Sequence, residues 1–245
     1  MWTFLSLLIF ISACGGDNDR QEDISKVRGL GLISTPLVST PSSSSHTNTV
    51  DLSLFVAVPI GQTISFEKYT DQNTSSAFLL DASDYSILSA TQTSTAYNAF
   101  SIVNIHVTAK VPTADKIPQI GGRVRLGFKA IGPKNTEKII GNFLVVPPSD
   151  PRLLSAKVPT VDIQTPSDGQ VLKSGDTLNI VGTYTNPNEE DLIVGWFASA
   201  GDITNRRSIN TYWDVPSKGK HTLVLTLRTK ESLGFAMKTI NVTVQ

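Results

Sequence analysis

VDLSLFVAV, residues 50–58, puts Val50, Leu52, Leu54, Val56 and Val58 at alternate positions, with Asp51 and Ser53 between them. Successive side chains of a strand point to opposite faces. This spacing therefore gives one aliphatic face and one polar face, the mark of a half-buried β-strand. Pro59-Ile60-Gly61 closes the run.

The same period recurs on both sides. Residues 24–33 read as a leading strand, 63–69 as another, and 100–111 as a long one rich in β-branched residues. Val124, Leu126, Phe128 and Ala130 alternate with Arg123, Arg125 and Lys129, Gly132-Pro133-Lys134-Asn135 turns, and 138–146 returns. Residues 71–98 are rich in Ser and Thr and fit no pattern well; Phe78-Leu79-Leu80 reads as a short strand or a helical turn. Twelve of the sixteen residues 34–49 are Ser, Thr or Pro, so this stretch is expected to be mobile, either an extended tether or a long loop behind the leading strand, the loop being favoured because Leu30, Leu32 and Ile33 would otherwise be exposed. No amphipathic helical stretch interrupts the series, and the chain is expected to be all-β.

Charge narrows the function. There are 21 basic and 21 acidic residues and no block of one sign. Nucleic-acid binding needs clustered Lys and Arg to displace counterions, so that class is set aside. Arg206-Arg207 and the pair Arg123 and Arg125 read as solvated positions. The single cysteine excludes an intramolecular disulfide, a zinc ribbon and a Cys-x-x-Cys redox site.

That cysteine is Cys14. Residues 2–13 carry no charge and end in Ser12-Ala13. As a helix they would reach about 18 Å, too short for a hydrocarbon core of about 30 Å and the length of a signal-peptide apolar region. The order Ile11-Ser12-Ala13-Cys14 resembles the lipobox of bacterial lipoproteins, although residues 1–13 contain neither Lys nor Arg. The resemblance implies that the Cys14 thiol is acylated and the preceding peptide cleaved. Several acyl chains would hold the protein on a membrane, since each buried methylene contributes about 0.8 kcal/mol. By that family's sorting rule Gly15 points to the outer membrane of a Gram-negative envelope.

Residues 160–245 carry about seven short strands with turns every 8–12 residues, the pattern of an immunoglobulin-like sandwich. Pro166-x-Asp168-Gly169, Gly175-Asp176-x-Leu178, the run from Trp196 to Gly201-Asp202-Ile203, and Trp213-Asp-Val-Pro216-x-x-Gly219 resemble bacterial immunoglobulin-like modules related to polycystic-kidney-disease and cadherin-like repeats. Such modules serve as spacers, adhesion units and binding platforms. The expected organisation is a signal peptide at 1–13, a lipidated tether at 14–23, a sandwich at 24–150, a Pro-rich linker at 151–159 and an immunoglobulin-like domain at 160–245.

Candidate sites are few. Glu189-Glu190-Asp191 is the densest acidic group, with Asp168, Asp176 and Asp202 scattered. Calcium wants six to eight clustered oxygens, so these read as solvated turns and no metal site is expected. Trp196 and Trp213 would stack on a sugar if exposed, but their place within alternating strands favours the core. His46, His106 and His221 fall into no metal-ligand or catalytic spacing, and no nucleophile elbow or phosphate loop is present. No cofactor is implied. In His221 to Leu227, Leu223, Leu225 and Leu227 face inward and Thr222 and Thr226 outward.

The reading is a non-enzymatic, lipid-anchored envelope protein with a structural or adhesive role. It would contact a protein or glycan through end loops, or a peptide through edge strands. A carbohydrate-binding accessory lipoprotein and an envelope hydrolase with a site in the first domain are the alternatives.

Overall fold

The computed structural model describes residues 26–69, 78–97, 100–117, 122–147, 149 and 151–245. Cys14, the leader 1–13 and the tether 14–23 lie outside the described residues, as does part of 71–98.

The first group of strands is β1 (Arg28–Thr35), β2 (Val38–Ser39), β3 (Thr49–Pro59), β4 (Ser65–Tyr69), β5 (Phe78–Leu79), β6 (Tyr85–Tyr97), β7 (Phe100–Lys110), β8 (Gly122–Ile131) and β9 (Thr136–Val145). They form two sheets, β1-β3-β7-β6 and β2-β9-β8-β4, with β5 added beside β8. The aliphatic face of β3 does what its period requires. Val50, Leu52, Leu54 and Val56 pack with Val103, Ile105 and Val107 of β7 and with Val124, Leu126 and Phe128 of β8. Tyr85 enters this core edge-on to Phe128, ring centroids 5.6 Å apart, and its hydroxyl donates to the Gly127 carbonyl at 2.8 Å.

The second group is β10 (Thr160–Thr165), β11 (Val171–Leu172), β12 (Thr177–Thr185), β13 (Leu192–Ala198), β14 (Asn210–Asp214), β15 (Gly219–Thr229) and β16 (Phe235–Val244). Its sheets are β10-β12-β14 and β11-β16-β15-β13. Trp196, Trp213, Leu223, Leu225, Ile240 and Val242 fill the space between them.

Both groups follow one strand plan. The leading strand pairs antiparallel with the next long strand, while the short second strand runs parallel to the last one. This is the two-sheet arrangement of immunoglobulin-like sandwiches, with a buried tryptophan, Trp196, on β13 of the second. Apart from single helical turns at Ala114–Lys116 and Pro151–Leu154, the regular structure among the described residues is β.

The two sandwiches are stacked face to face. Leu30 of β1, Ala57 of β3, and Phe100 and Ile102 of β7 form one apolar cluster with Val224 of β15, flanked by Phe55, Phe197 and Met237. Phe55 stacks on Phe235 at 6.0 Å. A side chain at Gly31 would run into the Phe235 ring, so glycine is what lets β1 approach β16. The face of β15 expected to meet solvent is thereby covered. Thr222 is 0% and Thr226 7% exposed, their hydroxyls donating to Asn241 Oδ1 at 2.9 Å and the Gly195 carbonyl at 3.1 Å.

The segment 34–49 is not the mobile loop expected. Val38–Ser39 pairs with β9, and the Ser42 hydroxyl donates to the Val111 carbonyl and accepts from the Asn48 amide. Asn48 Nδ2 donates to the carbonyls of Thr40 and Pro41, each at 3.1 Å. Side-chain-to-backbone hydrogen bonds supply here the order that apolar burial cannot. Likewise, Leu153 and Ala156 of the connecting segment pack with Leu37, Val38, Leu144, Val146 and Leu233.

Phe235→Ala should remove about 3 kcal/mol from the stacked faces. Urea unfolding checks this. In the chain from Cys14 onward, which lacks Trp2, far-UV dichroism and tryptophan fluorescence should coincide in the wild type and separate in the variant, because Trp196 and Trp213 report the second sandwich alone. Burial also raises the Tyr85 pKa despite the backbone hydrogen bonds that oppose it. A group with a raised folded-state pKa gives stability that is complete below its unfolded value, about 10, and lost as pH rises through the folded value. Alkaline titration of stability should therefore fall more steeply above pH ~10 in the wild type than in Tyr85→Phe.

Candidate functional site

The residues singled out in the sequence are mostly spent on structure. Trp196 and Trp213 are 1% and 0% exposed, and their indole N–H groups donate to the carbonyls of Ser208 and Ala200, each at 3.0 Å. They cannot stack on a sugar. The exposed rings Tyr184 and Tyr212 lie on β12 and β14, but on opposite faces of that sheet by strand alternation, so they form no aromatic strip.

Glu190 is not a solvated turn residue. It is 8% exposed, and one carboxylate oxygen accepts from the amides of Glu231 at 2.9 Å and Ser232 at 2.8 Å. It thus ties the β12–β13 loop to the β15–β16 hairpin. Asn186 holds the Glu190 backbone, donating to its carbonyl at 2.6 Å and accepting from its amide at 3.2 Å. Asp191 pairs with Lys230 at 3.0 Å, and Asp168 accepts from the Asn241 amide at 2.8 Å. Among the described residues no group of three or more His, Cys, Asp or Glu is placed to hold a metal ion.

The histidines are dispersed over a loop, β7 and β15. His106 Nδ1 lies 3.5 Å from Ser53 Oγ, and His221 Nε2 lies 2.9 Å from the Ser217 carbonyl. A hollow of about 500 Å³ beside His46, lined also by Pro36, Val38 and Asn48, has no carboxylate in its wall. Nor is any helix of the described residues long and apolar enough to cross a membrane.

Cross-strand register assembles something the linear sequence hides. On β4, β8 and β9 the core-facing positions are Phe66, then Val124, Leu126 and Phe128, then Ile139 and Phe143. The other parity faces away from the core and carries Glu67 and Tyr69, Arg123, Arg125 and Lys129, and Lys138, Ile140 and Asn142. Lys129 stands directly opposite Lys138, with Glu67 on the far side of Lys129. Both ammonium groups sit 5.1 Å from the centre of the Tyr69 ring, which faces them with its negative quadrupole. Among the described residues none of these four cations makes an ion pair.

The two arginines are not the freely solvated positions expected. Arg123 Nη2 donates to the Lys230 carbonyl at 2.7 Å, and burial, with Arg228 and Arg125 nearby, lowers its pKa. Arg125 Nε is buried with no hydrogen-bond partner. The sequence signal was the alternation of Arg123, Arg125 and Lys129 with aliphatic residues. What it could not supply was the partner strand that brings Lys138 alongside.

No family model matches the chain, and no curated protein matches it. Among solved structures the chain is similar to the PKD domain of human KIAA0319, at 19% identity over 40% of this chain and 88% of that one, TM-score 0.30. It is also similar to fibronectin(III)-like modules of Clostridium thermocellum CbhA, at 14% identity over 89% and 94%, TM-score 0.33. The tandem Ig repeats of Dlar match at 13% identity over 85% and 92%, TM-score 0.29. The strand pairing itself defines the chain as an all-β protein of immunoglobulin-like sandwiches.

Glu190→Ala should leave two loop amides without an acceptor and cost about 2–3 kcal/mol, read as a lowered urea midpoint. Millimolar calcium should leave the wild-type melting temperature unchanged; a calcium-dependent rise would show that the carboxylates bind the ion instead.

Proposed function

We propose that the protein is a lipid-anchored component of a bacterial cell envelope, held at the outer membrane through Cys14, whose stacked sandwiches do structural or adhesive work rather than catalysis. The observation that carries the anchor is the order of an apolar run, Ser12-Ala13 and the only cysteine, followed by a polar tether ahead of the ordered body. In this reading 1–13 is removed, 14–23 is the tether, 24–150 and 160–245 are the displayed domains, and 151–159 joins them.

Support for a mechanical or contact role comes from how the chain uses its chemistry. The tryptophans and Glu190, which a sugar-binding or metal-binding protein would expose, are enclosed, and the faces between the sandwiches are apolar. A sheet edge offers the contact. The edge strand β6 reads YSILSATQTSTAY, with no charge or proline to discourage an added strand from a partner protein.

Labelling cells with a clickable fatty acid tests the anchor. Wild-type protein should take the label and stay with membranes; Cys14→Ser should take none and appear unprocessed or soluble. An unmodified Cys14 in the mature wild-type protein, read by mass spectrometry, would overturn the proposal.

A further inference from the structure

The outward face of β9-β8-β4 concentrates charge on a chain whose formal charge is zero. Arg123, Arg125 and Lys129 follow one another along β8 over about 20 Å, at ~3.3 Å per residue, and Lys138 lies across from Lys129. Glu67 is the one carboxylate of this face among the described residues. Like charges directly opposite on neighbouring strands destabilise a sheet. Lys129 and Lys138 are such a pair, steadied by Tyr69, and Arg125 keeps a buried donor unused. The fold spends stability to hold cations together here, which an anionic partner would offset.

Two observations say what that partner is. Around Lys129 and Lys138 the face is an open sheet surface, suited to a plane rather than to a threaded chain, whereas its Arg123 end is covered: Arg123 donates to the Lys230 carbonyl, and Leu144 across from it is buried against Leu233. The polypeptide also enters the sandwich at one end of it: the Val27 amide donates to Asn135 Oδ1 at 3.0 Å, in the β8–β9 turn, and Lys129 and Lys138 pair two rungs from that turn. Upstream lies the apolar run ending at Ala13, and the thirteen residues from there to Lys26 reach at most about 45 Å. Lys26 and Lys134 add charge at the same end, both exposed.

We propose that the open part of this face, built on Lys129 and Lys138 with Arg125 beside them, docks onto the anionic headgroups of a lipid bilayer and lays the first sandwich against the membrane. The proposal rests on the reading of an N-terminal membrane attachment for proximity, but not on acylation.

Full-length Cys14→Ser protein, which cannot be acylated at that sulfur, separates the two. Its partition is compared between phosphatidylcholine vesicles and vesicles with about one-third phosphatidylglycerol, at roughly 0.05 M and 0.5 M salt. The expected result is a preference for the anionic vesicles that collapses at high salt. Lys129→Gln with Lys138→Gln should reduce that preference roughly 25-fold, about fivefold per cation, while the melting temperature holds or rises. Lys173→Gln with Lys218→Gln, on the second sandwich, should leave it unchanged. The proposal is overturned if the anionic preference is absent or survives the Lys129 and Lys138 changes. It is equally overturned if the control pair lowers the preference as much, or if the protein holds to soluble dextran sulfate through these lysines without favouring anionic vesicles.

Discussion

The apolar contact between the sandwiches governs the shape of this protein. Each sandwich has a dry interior of its own, but Phe55, Ala57, Phe100 and Ile102 point out of the first interior and would lie in water if it stood alone. Val224, Phe197, Met237 and Phe235 cover them from the other side. Burying such side chains contributes on the order of 1.5–3 kcal/mol each, far more than the exposed ion pair of Arg152 with Glu231 can add at the same junction. The result is four sheets in layers, not beads on a flexible string.

That arrangement explains why the connecting residues look as they do. A connector between independent modules is free to be polar throughout, whereas Leu153 and Ala156 are folded down against Leu37, Val146 and Leu233. Arg123 and Glu190 reach the hairpin between β15 and β16 from the first sandwich and from the β12–β13 loop respectively, so its tip is gripped twice by hydrogen bonds.

Much of the fold was legible in residues 50–58, 123–131 and 221–227, because period-two alternation is a local property that burial enforces. The all-β class, both cores and the enclosed tryptophans follow from it. What stayed hidden depended on the distant parts of the chain. Phe55 and Val224 sit on the parity that alternation assigns to solvent, and only the neighbouring sandwich makes them core. Residues 34–49 and β6 carry too many hydroxyls to look ordered; their order comes from pairing with β9 and β7 and from Ser42 and Asn48, contacts made across the fold. The cationic face was half visible, since β8 shows its own alternation, but Lys138 and Tyr69 arrive through register alone.

The shared strand plan has a consequence for how these units stack. The joint places the outer side of β1-β3-β7 from one sandwich against the outer side of β13-β15-β16 from the other, two unlike surfaces in a head-to-tail relation. A head-to-tail relation of this kind, repeated by like modules, closes into a ring if its rotation allows and otherwise extends as a filament. Here the two outer surfaces left over differ in chemistry from the joint. One presents ammonium and guanidinium groups, and the other, on β12 and β14, presents Thr177, Asn179, Tyr212 and Asp214. Neither repeats the contact of Phe55, Phe100 and Ile102 with Val224 and Phe197 that joins these two sandwiches.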